Sequence, residues 1–219
     1  MAAQGLVGQA VSPVGPLEMF DYRRHLPHWQ PEQAVVFLTW RLAGSLPGWR
    51  LPQTGVAPQR SSAGRAFLVL DRLSDQATSG PLWLRDPRVA RLVSQTLQAG
   101  EQQRGWYRLR AWVIMPNHVH VLWQPHCSLA RITRWVKGST ARQANLILGR
   151  TGQPFWQDES YDHWVRTEVE LEKIVRYIER NPVAAGLAAA VEDWPWSSAR
   201  PTGETACPTQ ESPPLSREM

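Results

Sequence analysis

WYRLRAWVIMPNHVHVLW, Trp106 to Trp123, is the stretch whose reading decides the fold. An apolar run rich in β-branched and aromatic residues, WYRLRAWVI, leads in; MPNH turns; HVHVLW leads out. Proline presets φ and asparagine tolerates tight backbone geometry, so Pro116 and Asn117 suit a turn between two strands. In the outgoing strand side chains alternate faces. His118 and His120 therefore share an exposed face, while Val119 and Val121 point into a core against a helix.

Working outward, AVVFLTW (Ala34–Trp40) reads as the first strand. Asp86 can cap a helix that has Pro87 at its first position and an apolar stripe of Val89, Leu92, Val93 and Leu97. Ser128 can cap the next helix, whose buried face holds Leu129, Ile132 and Val136. Residues 149–154 break it, and a short extended piece follows at 162–166. Thr167 and Glu170 form a capping box for a last helix. Leu171, Ile174, Val175 and Ile178 are its apolar stripe, and Pro182 is expected to stop it soon after Asn181. The fold class expected is α+β: a ferredoxin-like βαββαβ sandwich with an added C-terminal helix carrying Tyr177. Residues 1–30 read as an N-terminal arm and 31–200 as the catalytic domain. A Gly/Pro-rich insertion falls near 43–64, a short helix near 65–75 and a disordered tail at 201–219.

The 219 residues carry 24 basic and 19 acidic side chains, a formal charge of +5. Placement says more than size: between His118 and Gln157 there is no Asp or Glu, but Arg131, Arg134, Lys137, Arg142 and Arg150 occur. Such a stretch suits a polyanion, because each neutralised phosphate releases counterions, although a solvated basic helix face has the same composition. Two distant cysteines, Cys127 and Cys207, suggest neither a disulfide framework nor a zinc-thiolate site. No window has the length of a membrane span and the N-terminus has no leader pattern, so the expectation is a soluble, cytoplasmic protein with no membrane partner. Twelve tryptophans are divided between core and surface in a way that composition leaves open.

Two imidazoles side by side are half of a divalent-metal site, and a third protein group is needed. Tyr177 and Asn181, four apart, lie on one flank of the last helix beside its apolar stripe. The Asn181 amide oxygen can complete a hard metal site. The Tyr177 hydroxyl can attack a phosphorus whose oxygen the metal polarises. The plainer reading is a tyrosine at the core's edge and an asparagine near a helix end.

Together, WVIMPNHVHVLW (Trp112–Trp123), FWQDESYDHWVR (Phe155–Arg166), YIERNPVAAGL (Tyr177–Leu187) and DWPWSSA (Asp193–Ala199) resemble the IS200-like Y1 transposases, HUH single-stranded DNA endonucleases. The likeness is to their REP-associated tyrosine transposase branch. It is firm over residues 105–200 and looser over 20–104, with the long 43–64 stretch and the tail as departures. The resemblance implies that His118 and His120 bind Mg²⁺ or Mn²⁺ with help from Asn181. It also implies that Tyr177 attacks a DNA phosphate, becomes linked to the 5′ phosphate and frees a 3′ hydroxyl. The implied substrate is single-stranded DNA beside a hairpin, a REP-like palindrome, and the implied chemistry is reversible strand transfer. Monomer and homodimer both remain open, as does association with the nucleoid.

Glu159 is a possible assisting residue, and His163 reads as a structural hydrogen-bonding one. Tyr161 is the rival nucleophile. Arg108 and Arg110, sharing a strand face, join Arg131, Arg134, Lys137 and Arg142 as DNA-contact candidates. His126 reads as a loop residue, and Trp194 and Trp196 as packing the C-terminal turn onto the body. Three rival functions stand beside the transposase: a hairpin-binding regulator without turnover, an RNA-binding protein on a ferredoxin-like fold, and a metal-dependent hydrolase of small phosphates.

Overall fold

The strands Val35–Leu42 (β1), Tyr107–Ile114 (β2), His118–Pro125 (β3) and Trp156–Val165 (β4) pair into an antiparallel sheet of order β2-β3-β1-β4. The helices are Pro87–Gln102 (α1), Leu129–Ile147 (α2) and Glu168–Ala184 (α3). The computed structural model describes residues 34–45 and 80–199. The N-terminal arm, the helix expected at 65–75 and the tail lie outside the described residues, as does the 43–64 stretch beyond Ser45. Within them the chain runs βαββαβ and then α, the arrangement expected from the sequence.

Side-chain alternation sorts the sheet into two faces. Val36, Leu38 and Trp40 of β1 and Val119, Val121 and Trp123 of β3 form the larger core with α1 and α2. Trp40 stacks on Trp123 at 6.2 Å, and Tyr107 lies 4.9 Å from Trp123. Helices α1 and α2 share one face of the sheet, and the added helix α3 covers the other, where Phe37, Ala111, Val113 and Leu122 meet Ile174 and Ile178. The physical reason is that this second face also carries apolar residues, Phe37 of β1, Leu122 of β3 and Ala111 and Val113 of β2, from which water must be excluded. A bulge between Leu109 and Ala111 lets β2 serve both cores, Leu109 facing one and Ala111 the other.

Local signals hold at most helix ends. Asp86 accepts from the Arg88 N–H, with Pro87 behind it. Thr167 accepts from the Glu170 N–H at 3.1 Å. The Glu170 carboxylate, however, reaches the Arg166 N–H at 2.8 Å rather than that of Thr167, so the capping box is shifted by one residue. Its other oxygen lies 2.8 Å from Nε2 of the buried His163, tying α3 to β4. Ser128 stands at the cap position of α2 without a side-chain capping bond.

Two expectations are corrected. The extended piece at 162–166 is the end of a longer strand, because β4 pairs with β1 from Trp156 onward despite its polar QDES composition. Pro182 does not stop α3; it lies inside the helix. The stop comes at Gly186, φ +69°, where the Leu187 N–H donates to Pro182 O and the Gly186 N–H to Val183 O. This pair of bonds closes the helix through a left-handed residue that glycine adopts without a steric penalty. Trp194 and Trp196 pack as expected: Trp194 Nε1 donates to Ile114 O, and the Ile114 N–H donates to Trp196 O.

Two helical glycines give a paired prediction. A Cβ at Gly100 would overlap the Tyr107 hydroxyl, which donates to Leu97 O at 2.7 Å in the core. A Cβ at Gly138 meets nothing within 4 Å. Gly100→Ala should destabilise the chain by about 1–3 kcal/mol, and Gly138→Ala should stabilise it by about 0.4–1 kcal/mol. Urea denaturation followed by circular dichroism measures both, and equal effects of the two substitutions would contradict the packing described.

Candidate active site

β3 starts with His118 and puts His120 on the same face, and the structure buries both completely beneath α3. The expected exposed strand face is thus a closed one, because α3 packs over it. Their Nε2 atoms face each other at 3.0 Å. Each Nδ1 is engaged on its far side, His118 with Asn117 Oδ1 at 2.6 Å and His120 with Thr39 Oγ1 at 2.7 Å. When both Nδ1–H groups donate to these oxygens, both Nε2 lone pairs are directed into the gap between the rings. Two unprotonated nitrogens at that separation repel, and a shared proton or a cation beside them relieves the repulsion.

α3 brings its two candidates to the same place. Asn181 is buried, and its Nδ2 lies 3.4 Å from His120 Nε2. Its Oδ1 is also buried and has no hydrogen-bond partner. Turning the amide over would aim that oxygen at the histidine pair. Tyr177, one turn earlier, stays half-buried, with its ring 5.6 Å from His120 and 6.1 Å from Phe37, both edge-on. Phe37 stacks on His120 at 5.6 Å and forms the apolar wall behind it. Sequence reasoning placed Tyr177 and Asn181 together beside the sheet, but full burial of the amide emerges only from the packing.

The donor set fits a hard divalent cation. Two nitrogens bound at right angles to one ion at about 2.1 Å each lie about 3 Å apart, close to the spacing observed. Oxygen acceptors on both Nδ1 atoms orient the rings for that task, and the unsatisfied amide oxygen supplies a third donor. Among the described residues no cluster of three His, Cys, Asp or Glu exists, and the Asn181 amide is the third donor that the described residues bring beside the two imidazoles. Glu159 falls within β4, and its side chain lies outside the described part of the structure.

Tyr161, the rival nucleophile, is buried in β4 opposite Thr39, with its ring edge-on to Phe37. Tyr177 is half-buried and therefore more accessible than Tyr161. Sequence reasoning missed Thr39, Arg41 and Phe37 and took Asn117 only as a turn residue. Thr39 and Arg41 are buried on β1 as the cross-strand partners of His120 and His118. Their signal was present: two polar residues at period two within an otherwise apolar strand.

The basic candidates divide. Arg108 is the cross-strand partner of Gln124, and Arg110 donates to Gln124 Oε1 at 2.8 Å, so both lie towards the histidine face at the far end of β3. Arg131, Arg134 and Arg142 are exposed on α2, which packs on the opposite face of the sheet. Lys137 is turned inward: its Nζ donates to Gln157 O at 2.7 Å and Asp158 O at 3.0 Å. Burial lowers its pKa to about 8, and with its ammonium group already engaged on two backbone carbonyls it is poorly placed as a phosphate anchor. His126 is an exposed loop residue whose Nδ1 meets Gly105 O.

Residues 86–181 match the family model described as transposase IS200 like. A REP-associated tyrosine transposase of Escherichia coli (strain K12) is 30% identical over 95 residues, 42% of this chain and 54% of the relative. The chain thus spans about half the length of that curated relative. A solved structure of a REP-associated tyrosine transposase bound to a REP hairpin has a similar fold, with a TM-score of 0.50 at 20% identity over 82% of each chain. The matched family segment runs from the Asp86 cap to Asn181 and includes both histidines and the tyrosine. Residues 86–181 of this chain are thus similar to the IS200-like transposases.

Proposed function

We propose that this chain nicks and transfers single-stranded DNA beside hairpins, through a covalent 5′-phosphotyrosine on Tyr177 with Mg²⁺ or Mn²⁺ as cofactor. The observation that carries the reading is the facing pair of His118 and His120 Nε2 atoms at 3.0 Å, with the Asn181 amide at 3.4 Å and the Tyr177 ring beside them. The match of the segment that holds them to the IS200-like transposase family model supports it. So does a structural neighbour that binds a REP hairpin.

His118, His120 and Asn181 would hold the cation. Bound there, it would supply Lewis-acid polarisation of a phosphate oxygen and charge compensation in the transition state. Asn117 and Thr39 keep the imidazoles oriented, and Phe37 excludes water from behind His120. Tyr177 supplies the nucleophile. Its oxygen forms a bond to phosphorus, the bond from phosphorus to the 3′ oxygen breaks, and the phenolic proton ends on that 3′ oxygen. One phosphoester replaces another without water, so the released 3′ hydroxyl can attack the phosphotyrosine in turn. That reverse step reseals or joins strands.

Labelled hairpin-bearing single strands, incubated with protein and Mn²⁺ and run on denaturing gels, should give a protein-linked band. Tyr177→Phe and chelator should each abolish it. A band that survives Tyr177→Phe would move the nucleophile to another residue. Binding without an adduct would favour a hairpin-binding regulator, and equal binding of an RNA copy would favour an RNA protein.

The cation site has its own test. Mn²⁺ should raise the melting temperature of the parent chain, and His118→Ala or His120→Ala should remove that shift. Asn181→Ala should weaken Mn²⁺ binding by about tenfold or more, in the range seen when supporting groups of a metal site are lost. Calorimetric titration reads this directly. Unchanged Mn²⁺ affinity in all three variants would sink the metal assignment.

A further inference from the structure

A cluster of arginines and tryptophans outside the catalytic centre has no part in the chemistry above. It forms where α1 hands over to β2 and where α2 begins. The Arg104 guanidinium lies over two rings, 4.7 Å from Trp106 and 4.5 Å from Trp135. Arg131 covers Trp106 as well, at 4.6 Å. The two indoles meet edge to face at 5.4 Å and are half-buried against the larger core. Both arginines are exposed.

The surroundings are uniformly basic. From residue 102 to 157 the chain contains no Asp or Glu. Glu101, the neighbouring acid, turns its carboxylate to the Leu109 N–H at 2.8 Å. Among the described residues neither Arg104 nor Arg131 has an acidic partner. Beside the cluster, β2 forms the edge of the sheet. Its second half is covered by the 196–198 segment, through the Val113–Ser197 bridge and the bonds to Trp196 and Ser198. Its first half carries the exposed Arg108 and Arg110.

We infer that this cluster is a docking surface for the phosphate backbone of a DNA duplex, the stem of a hairpin whose single-stranded flank enters the Tyr177 site. The inference rests on the function proposed above and adds which part of the substrate is held, and where. Unpaired bases need open ring faces on which to stack. Here guanidinium groups already cover Trp106 and Trp135. A guanidinium lying flat on an indole is pre-oriented and keeps N–H groups at its rim for phosphate oxygens. The cluster therefore suits backbone contact without base reading. The dimensions agree: from His120 to Pro125, whose neighbour His126 donates its N–H to Trp106 O, the strand runs about 17 Å. Roughly five base pairs of stem cover that distance.

Two fluorescent probes test this, a hairpin with its single-stranded flank and the flank alone, titrated by anisotropy across a salt series. The variants are Arg104→Ala/Arg131→Ala and the charge-keeping Arg104→Lys/Arg131→Lys. The alanine pair should weaken hairpin binding by about tenfold or more, with a salt slope shallower by about 1–2. Flank binding should stay within about twofold, and adduct formation on the flank should continue. The lysine pair should restore the salt slope but only part of the affinity, since the planar stack is lost. A matching thermal melt excludes misfolding as the cause. Equal loss on both probes, or no loss on either, overturns the inference while leaving the nicking reaction intact. Failure of the parent chain to bind either probe overturns the proposed function and this inference with it.

Discussion

The cross-strand pairing of Thr39 with His120 is the constraint on which the site depends. It sets the register of β1 against β3, and the Thr39 hydroxyl then meets His120 Nδ1 at 2.7 Å. A slip of one residue would turn every β3 side chain to the other face. The histidines would then enter the α1–α2 core, and Val119 and Val121 would face the tyrosine helix. The apolar residues resist such a slip strongly, because both faces of the sheet are covered. Placement of the chemistry is thus enforced by ordinary core packing.

α3 carries out two tasks with one surface. Ile174 and Ile178 seat it on the sheet, and the same stripe, continued by helical spacing, delivers Tyr177 and Asn181. The Glu170 carboxylate, shared between His163 and the Arg166 N–H, anchors the start of the helix to β4. The end of the helix is held by the turn at Gly186. Pinned at both ends, the helix presents its tyrosine at a fixed depth. The ring remains half-buried while the amide one turn later is enclosed. Under the proposed function, that difference suits a nucleophile that must meet a large substrate and a ligand shielded from water.

The two faces of the sheet divide the functions. One holds the histidines, the amide and the tyrosine. The other buries the larger core, and its helices carry basic residues outward. Arg104 and Arg131, stacked on tryptophan, sit where these surfaces approach each other at the open half of the β2 edge. Trp106 and Trp135 link core packing to surface charge. Their inner portions belong to the core, and their outer faces fix two guanidinium groups that would otherwise lose rotamer entropy in the docking inferred above.

The sequence by itself determined the hairpin, the order of elements, the shared face of His118 and His120, and the shared flank of Tyr177 and Asn181. All of these follow from periodicities of two and 3.6 within single elements, and the likeness to the IS200-like transposases is carried by those same residues. Only the tertiary structure decided what lies on each side of the sheet. Nothing local tells a strand which of its apolar faces a particular helix will cover, so the burial of both histidines by α3 was not legible. The second-layer partners Thr39 and Asn117 were equally hidden, since hydrogen bonds between distant elements depend on register and packing. The helix end shows the same limit on a small scale. Pro182 reads as a terminator, but the loss of one N–H in the last turn is offset by closure at Gly186, and that bonding exists only in three dimensions.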